Sequence, residues 1–284
     1  MSVTFDVQRR IGLYGALLSV FAPEGEPVEL WTPLAIDPAR VLARTVTSHA
    51  GTPPRADLRW ADPAAKPAND RRLALTVAAL PGARAITSPD ELAIPGDWVA
   101  KALWTAAGRD RCRGSGPLTP QLRTHVTRLI AACGAVVVEP WCHRIVDVGL
   151  CATVAADGSV VVREPHGLIL DDRGAFRGID LFGATELERD ERDQLIAAAH
   201  AAGAAIARTG YTGRFAIDAF AWRDGEARRF HACCEINARL TFGWVAHAYA
   251  ERYGIRRLGL ADPAPAGARV LIAPASDRVT AWIA

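Results

Sequence analysis

The chain has 284 residues, half of them apolar, and this length allows one large domain or two small ones around a substantial core. The formal net charge is only +2, so the overall charge gives no support to binding of nucleic acid or of an anionic membrane. The six cysteines form no CxxC pair and no spacing typical of a zinc site or a disulfide framework. We therefore expect a folded, enzyme-sized protein of a reducing compartment.

Residues 1–95 are interrupted repeatedly by proline and glycine, and we predict a lead-in region with little regular structure. Within it we expect a strand over EPVELWTPLAI, then a capped helix over DPARVLARTVTSHAG that ends at its glycine. A long loop should follow, and a further helix is expected over NDRRLALTVAALPGA.

The stretch RRIGLYGALLSVFAPEG has the basic lead and the short apolar run of a weak secretory leader. Asp6 in the lead and Pro23 after the only plausible cleavage point argue against export, and the run is too short to span a bilayer. We therefore expect a cytoplasmic protein without a membrane segment.

From Asp97 onward the pattern becomes strand, glycine-rich loop, helix and strand. We predict the first strand over DWVAKALWTA, the loop over AAGRDRCRGSGP, and a helix over TPQLRTHVTRLIAACGA. The apolar run AVVVEPW predicts a second strand, which ends in charge.

A meander of short strands should follow, because the dipeptide DG and the tripeptide DRG are hairpin signals. We then expect a helix over ATELERDERDQLIAAAHAAGAAIAR, with acids in its first turn. Two strands, GRFAIDAFAWRDG and ARRFHACCEINARL, should be joined by an Asp-Gly turn. A helix over TFGWVAHAYAERYG and one short closing strand come after them.

Polar groups interrupt the apolar run HACCEINARLTFGW. Because side chains alternate across a strand, Glu235, Asn237 and Arg239 should project from one face, with Cys234 on the other. Asp218 lies in the hairpin partner and can share the face of the acid and the amide. These hard oxygen ligands suit Mg²⁺ that is completed by nucleotide phosphates. The open alternative is a structural network in which the groups pair with one another and with nearby arginines.

Lys101 is one of two lysines among 33 basic residues, yet it lies in an apolar strand. A compact ammonium group suits a phosphate site where the wide fork of arginine does not fit, and a snorkelling lysine at a strand edge is the alternative. In the following loop, Gly108, Gly114 and Gly116 would let backbone N–H groups close over phosphates. A solvated basic hairpin or a nucleic-acid contact would explain the loop equally well.

The run VVVEPW and the acid that follows it predict a seat for adenine. Glu139 and backbone groups would read the base edge, Asp147 would reach a ribose hydroxyl, and Trp141 lies between them. The alternative is a charged strand end that faces water.

Lys101, a glycine-rich loop, a helix, VVVEP, a long meander, Asp218 and EINAR follow one another in an order that resembles the ATP-grasp superfamily over about residues 69–260. The resemblance implies an α+β fold of the ATP-grasp type, in which two α+β subdomains clasp a nucleotide. It implies a short N-terminal region over 1–95 and an ATP-grasp domain over 96–284. The lid subdomain would cover about 96–140 and the C-terminal subdomain about 141–284.

The resemblance also implies roles for single residues. Lys101 would contact the nucleotide phosphates, Glu139 the adenine and Asp147 the ribose. The magnesium ligands would be an acid from one strand with an acid and an amide from the next: Asp218, Glu235 and Asn237.

One position departs from the family's pattern. Family ligases commonly carry arginine two residues before the first strand acid, and this chain has Ala216 there. We expect Arg239 or Arg214 to supply the missing charge. Arg239 is then the candidate for stabilising the transferring phosphoryl group or a tetrahedral intermediate, with Lys101 as the second catalytic residue.

The resemblance implies an ATP- and Mg²⁺-dependent ligase that joins a carboxylate to an amine or a thiol through an acyl phosphate. The substrates would be small molecules or peptides, and a homodimer is favoured over a monomer. A phosphotransferase on the same fold and a non-catalytic nucleotide-binding or scaffold protein remain as alternatives. A nucleic-acid binder fits less well, because the aromatic residue nearest to the basic cluster, Trp104, lies on an apolar strand.

Overall fold

A computed structural model describes residues 5–53, 56–104, 110–172, 174–260 and 263–284. The chain divides into two compact units. Unit 1 comprises Met1–Trp60, His166–Ala184 and Leu240–Ala284, and unit 2 comprises Ala61–Pro165 and Thr185–Arg239. In the described ranges, no helix has the length and apolar character needed to cross a membrane.

Helices and strands alternate through both units, so the predicted α+β class is confirmed. The helices are α1 Phe5–Gly15, α2 Arg72–Val77, α3 Pro120–Cys133, α4 Arg189–Ala207 and α5 Phe242–Tyr253. The strands are β1 Val28–Thr32, β2 Val46–Ala50, β3 Arg84–Ile86, β4 Asp97–Ala102, β5 Arg111–Ser115, β6 Val136–Pro140, β7 Arg144–Val154, β8 Val160–Val162, β9 His166–Leu170, β10 Phe176–Asp180, β11 Gly213–Asp224, β12 Ala227–Asn237, β13 Arg257–Gly259, β14 Arg269–Ile272 and β15 Ala281–Ile283.

A four-stranded antiparallel sheet in unit 2, called here the lid sheet, has the strand order β3, β6, β4, β5. Helix α3 packs on it through Val126 and Leu129, which are buried against Trp98 and other apolar residues of the sheet. The helix begins where the Thr119 hydroxyl accepts a hydrogen bond from the Leu122 N–H, and it ends at a left-handed glycine. The predicted helix is confirmed.

The second sheet of unit 2, called here the central hairpin sheet, pairs β12 with β11, β11 with β7, and β7 with β8, all antiparallel. Alternate residues of β11, among them Phe215 and Ile217, face the apolar side of α4. Alanines on α4 allow close approach, and at Gly203 an added Cβ would lie 2.5 Å from a Val160 methyl group. Burial of this face leaves the other alternate residues of β11, including Asp218, on the opposite face.

Unit 1 contains the antiparallel strand order β9, β10, β13, β15, β14 and a separate parallel pair, β1 with β2. Helices α1 and α5 contribute to one apolar core with the strands. Arg40 is 7% exposed, and its guanidinium donates to Asp277 Oδ2 at 2.6 Å and to the backbone oxygens of Ala273 and Val279. This buried arginine joins the N-terminal and C-terminal segments of the unit.

Three expectations about secondary structure are wrong in unit 1. The helix predicted over residues 37–51 is a short 3-10 turn, Pro38–Arg40, capped by Asp37 and followed by β2. The β-branched residues of β2 pair with β1 instead of continuing a helix. The region expected to have little regular structure also contains α1 and β2, whereas its predicted strand over EPVELWTPLAI is confirmed as β1. The tail contains two strands, β14 and β15, instead of one.

Packing in the lid sheet predicts a cost for any side chain at Gly114. Gly114 lies opposite Trp98 in the β4–β5 ladder, and an added Cβ would lie 2.2 Å from a carbon of the indole, which is fully buried. We expect Gly114→Ala to lower the free energy of unfolding by about 1–3 kcal/mol. Denaturant unfolding measures this, with the exposed neighbour Ser115→Ala as the matched control. Equal unfolding midpoints for the two variants would contradict the packing argument.

Candidate active site

Two carboxylates lie next to each other on neighbouring strands of the central hairpin sheet. In the β11–β12 ladder Asp218 lies opposite Glu235, and Ala216 lies opposite Asn237. Residues paired in this way have Cβ atoms about 4.5–5.5 Å apart. The Asn237 amide also donates to Asp218 Oδ2 at 3.4 Å. The structure therefore brings together the acid, acid and amide that the sequence predicts as a set.

The electrostatics of this pair disfavour two negative charges. Burial first, and then the neighbouring carboxylate of Glu235, raise the pKa of Asp218 to about 7. The positive charges of Arg239 and Arg144 act in the opposite direction. Because the two carboxylates are close together and Asp218 is desolvated, a cation bound between them would be electrostatically favourable.

Arg239, predicted to stabilise transferring groups, contacts the amide of the set. Its Nη2 donates to Asn237 Oδ1 at 2.6 Å, and its backbone N–H donates to the Asn237 carbonyl at 2.8 Å. An Asn237 that binds Mg²⁺ through Oδ1 would have to exchange this contact for the metal. Arg239 therefore lies against Asn237, and its predicted catalytic role stays a prediction.

Arg71 is a residue of this cluster that the sequence analysis missed. Its Nη1 lies 3.2 Å from Glu235 Oε2, and its Nε donates to the Ala102 carbonyl at 2.9 Å. The side chain is 8% exposed. No local pattern marks Arg71, because it lies just before α2 and far in sequence from the strand that it contacts.

Lys101 and Glu139 form an ion pair within the lid sheet. Lys101 is on β4 and Glu139 on the adjacent β6, and their side chains are 15% and 6% exposed. The predicted phosphate ligand and the predicted adenine ligand therefore touch each other. Since a buried carboxylate without a partner costs several kcal/mol, Lys101 stabilises Glu139 in this arrangement.

Asp147 lies on β7 beside the carboxylate pair. It is opposite Phe220 in the β7–β11 ladder, while Asp218 is opposite the glycine two residues further along β7. The Arg144 guanidinium donates to Asp147 Oδ1 at 2.8 Å and lies 4.1 Å from the centre of the Phe220 ring. The predicted ribose ligand is thus next to the cluster and is held by an arginine.

The glycine-rich segment differs from the loop predicted over residues 106–117. Its described part is largely strand β5, paired with β4, so the loop prediction is wrong for Arg111–Ser115. Gly114 is explained by its contact with Trp98, and Gly116 has a φ of +61°, a conformation that favours glycine. Gly108 lies outside the described residues. The predicted phosphate role of these glycines stays a prediction.

Trp141 packs against the lid sheet. The Arg113 guanidinium lies 3.4 Å from the centre of its ring, and the backbone N–H of Trp141 donates to the Asp97 carbonyl at 2.9 Å. The indole is stacked under an arginine of β5, which is a stabilising cation–π contact. Its predicted contact with a nucleotide stays a prediction.

A β-bulge alters the predicted alternation along β12. Asp218 pairs with Glu235 but Phe220 pairs with His231, so residues 232–234 lie opposite a single residue of β11. The prediction that Cys234 lies on the face opposite to the acids is wrong, because the cysteine in the apolar core against α4 is Cys233. Burial raises the pKa of Cys234 to about 12, so it is a neutral thiol at the side of the cluster.

The pKa of Asp218 predicts how stability depends on pH when no metal is bound. A carboxyl group whose pKa rises from about 4 in the unfolded chain to about 7 in the folded chain lowers stability as the pH increases between these values. We expect Asp218→Asn, in the presence of EDTA, to be more stable than the parent at pH 8 by roughly 1–3 kcal/mol. Near pH 4 the difference should vanish.

Denaturant unfolding at a series of pH values measures this effect. Asp224→Asn is the matched control, because Asp224 ends the same strand with an exposed side chain. A parent protein more stable than Asp218→Asn at pH 8 would contradict the inferred desolvation.

Comparisons with known proteins give likenesses of fold. No protein-family model matches the chain, and no curated protein matches it. A biotin carboxylase–β,γ-ATP complex from Campylobacter jejuni is 16% identical with a TM-score of 0.49, over 65% of this chain and 42% of that one. The biotin carboxylase domain of Hydrogenobacter thermophilus 2-oxoglutarate carboxylase is 13% identical with a TM-score of 0.48, over 76% and 61%. D-alanyl-alanine synthetase A of Vibrio cholerae is 13% identical with a TM-score of 0.43, over 58% and 51%.

In each of these matches the chain spans less than two thirds of the solved protein's length, and at such identities no residue role is transferred. All three solved proteins have the ATP-grasp fold. In this chain, Lys101 on β4 is followed by α3 and β6, and then by the opposed acids of β11 and β12. This is the order of elements on which the predicted resemblance to the ATP-grasp superfamily rests.

Proposed function

We propose that the protein is an ATP- and Mg²⁺-dependent ligase that joins a carboxylate to an amine or a thiol through an acyl phosphate. The observation that carries the proposal is the pair Asp218 and Glu235, opposed in neighbouring strands with Asn237 beside them. Carboxylate and amide oxygens are the ligand type that Mg²⁺ takes when nucleotide phosphates complete its coordination. Mg²⁺ held there would neutralise charge on the phosphate oxygens.

The residues of the chain would divide the work of binding between the two sheets. Lys101 would leave Glu139 and pair with a phosphate, and Glu139 would then accept a hydrogen bond from the amino group of adenine. Asp147 would accept from a ribose hydroxyl. The ion pair between Lys101 and Glu139 supports this division, because both groups need a new partner once they separate.

The reaction would proceed in two steps. An oxygen of the substrate carboxylate attacks the γ-phosphorus, the bond to the bridging oxygen of ADP breaks, and an acyl phosphate forms. The amine or thiol then attacks the acyl carbon, phosphate leaves, and the nucleophile loses a proton. Arg239 would stabilise the transferring phosphoryl group, since positioning and electrostatics are the main contributions to such catalysis.

The wider setting of the reaction is part of the same proposal. The substrates would be a small-molecule or peptide carboxylate and an amine or thiol, and the protein would act as a homodimer. All six cysteines are free, which supports a reducing cytoplasm. A domain boundary near residue 95, with a lid over about 96–140, remains the proposed functional division of the chain.

A nucleotide-binding protein without turnover is the second candidate, and the charge pairing favours it. Glu139 and Glu235 already have partners in Lys101 and Arg71, and position 216 is alanine. Such a cluster is stable without catalysis, and this candidate predicts that ATP binds but is not turned over.

Product analysis separates these functions. A panel of carboxylates with amines or thiols is incubated with MgATP, and ADP, phosphate and organic products are followed by chromatography and mass spectrometry. We expect equal amounts of ADP, phosphate and an amide or thioester for at least one pair of substrates. A stable phosphoester without free phosphate would indicate a phosphotransferase instead.

A double variant tests whether the carboxylate pair carries the activity. We expect Asp218→Ala with Glu235→Ala to lower kcat by at least about a thousandfold, because both charged ligands of the proposed metal site are lost. Asp224→Ala, at the end of the same strand, is the control and should keep parental turnover. Full turnover in the double variant would refute the proposed role of the pair.

A further inference from the structure

Arg71 is held in place by contacts with two different elements of unit 2. Its Nε donates to the Ala102 carbonyl at 2.9 Å, and its backbone N–H donates to the Leu103 carbonyl at 3.3 Å. Both acceptors come directly after Lys101 at the end of β4. The opposite end of the guanidinium lies 3.2 Å from Glu235 Oε2 on β12. Arg71 therefore joins the end of the lid strand to one acid of the carboxylate pair.

The cluster around Arg71 has no formal net charge when its members are ionised. The acids are Glu139, Asp147, Asp218 and Glu235, and the bases are Arg71, Lys101, Arg144 and Arg239. A bare Mg²⁺ ion would add two positive charges next to a buried guanidinium. A magnesium ion that arrives with a nucleoside triphosphate brings more negative than positive charge.

We propose that Arg71 is a positioning residue that occupies Glu235 in the metal-free protein and so makes Mg²⁺ binding depend on the nucleotide. The inference rests on the proposed function, because it takes the carboxylate pair as the metal site. Arg71 competes with a free ion for Glu235. When a triphosphate is present, its negative charge offsets the repulsion between the ion and the guanidinium.

Position 216 gives this role a reason. The strand residue that lies beside the carboxylate pair is Ala216, so the strand itself supplies no cation there. Arg71 supplies one from a distant segment, and its anchor on the Ala102 carbonyl fixes the direction from which the charge acts. Because this anchor adjoins Lys101, removal of Glu235 from Arg71 by a metal changes the surroundings of the proposed phosphate ligand.

Charge removal at Arg71 should therefore change two affinities in opposite directions. For Arg71→Met we expect free Mg²⁺ to bind at least about tenfold more tightly than in the parent, since a nearby positive charge is lost. MgATP should bind more weakly, so the enhancement of Mg²⁺ binding by ATP should fall by more than tenfold. Arg71→Lys keeps the charge and should keep weak binding of free Mg²⁺.

The measurement is thermal unfolding of the purified full chain over a series of Mg²⁺ concentrations, with and without ATP. Arg72→Met is the matched control, because Arg72 is the next residue, is exposed, and pairs with Asp70 instead of Glu235. If Arg71→Met does not fold, Arg71→Gln replaces it, since its amide can still donate to the Ala102 carbonyl.

Three outcomes decide the matter. Tighter free Mg²⁺ with weaker MgATP in the neutral variant, and neither change in Arg72→Met, establishes the role. Free Mg²⁺ affinity unchanged in both neutral Arg71 variants overturns it, even if the parent binds MgATP. A parent that binds neither Mg²⁺ nor MgATP overturns the proposed function as well, so the two failures can be told apart.

Discussion

Two carboxylates that face each other between neighbouring strands, on Asp218 and Glu235, are the constraint on which the site depends. Burial and mutual repulsion raise the pKa of Asp218 to about 7, so the arrangement costs free energy when both groups are ionised. The apolar face of β11 against α4 fixes the alternation that holds Asp218 on the opposite face. The apolar packing that stabilises unit 2 thus holds two carboxylates close together, although their mutual repulsion is unfavourable.

The chain compensates for this cost with basic residues from separate segments. Arg71 precedes α2, Lys101 lies on β4, Arg144 begins β7, and Arg239 follows β12. Each contacts an acid or the amide of the cluster. Arg71 also donates to the Ala102 carbonyl of β4, and Lys101 lies on β4 itself. A ligand that brings both metal and phosphate would replace several of these pairs at once, which connects the chemistry of the site to the lid sheet.

Features with a short sequence range could be predicted from the sequence. The alternation of EINAR predicted that Glu235 and Asn237 share a face, and the Asp-Gly turn predicted the hairpin with the strand of Asp218. The turn register alone would place Cys233 opposite Asp218, so the pairing of Asp218 with Glu235 depends on the bulge at residues 232–234. Thr119 and Gly134 likewise mark the ends of α3. The prediction of a capped helix after Asp37 is wrong, because the pairing of β2 with β1, a tertiary contact, outweighs the local capping signal.

Features that depend on contacts between distant segments could not be predicted. The bulge at residues 232–234 moves Cys234 towards the acids, and no residue in that run marks it. In the sequence Gly114 resembles a loop glycine, because its close contact with the Trp98 indole depends on the pairing of β4 with β5. Arg71 is far in sequence from Glu235, so only the fold shows that it is part of the site.

The measurement that tests the account most directly is the thermal stability of the parent, Lys101→Ala and Glu235→Ala with MgATP, MgADP, ATP plus EDTA, and Mg²⁺ alone. A ligand that binds only the folded state raises the free energy of unfolding, and the increase grows with the logarithm of the ratio of ligand concentration to dissociation constant. If the carboxylate pair holds the metal and the nucleotide, we expect MgATP to raise the unfolding temperature of the parent by several degrees, and this shift should be removed by EDTA and lost in both variants. An equal shift in Glu235→Ala, or no shift in the parent, would contradict the claim that the carboxylate pair is the metal and nucleotide site.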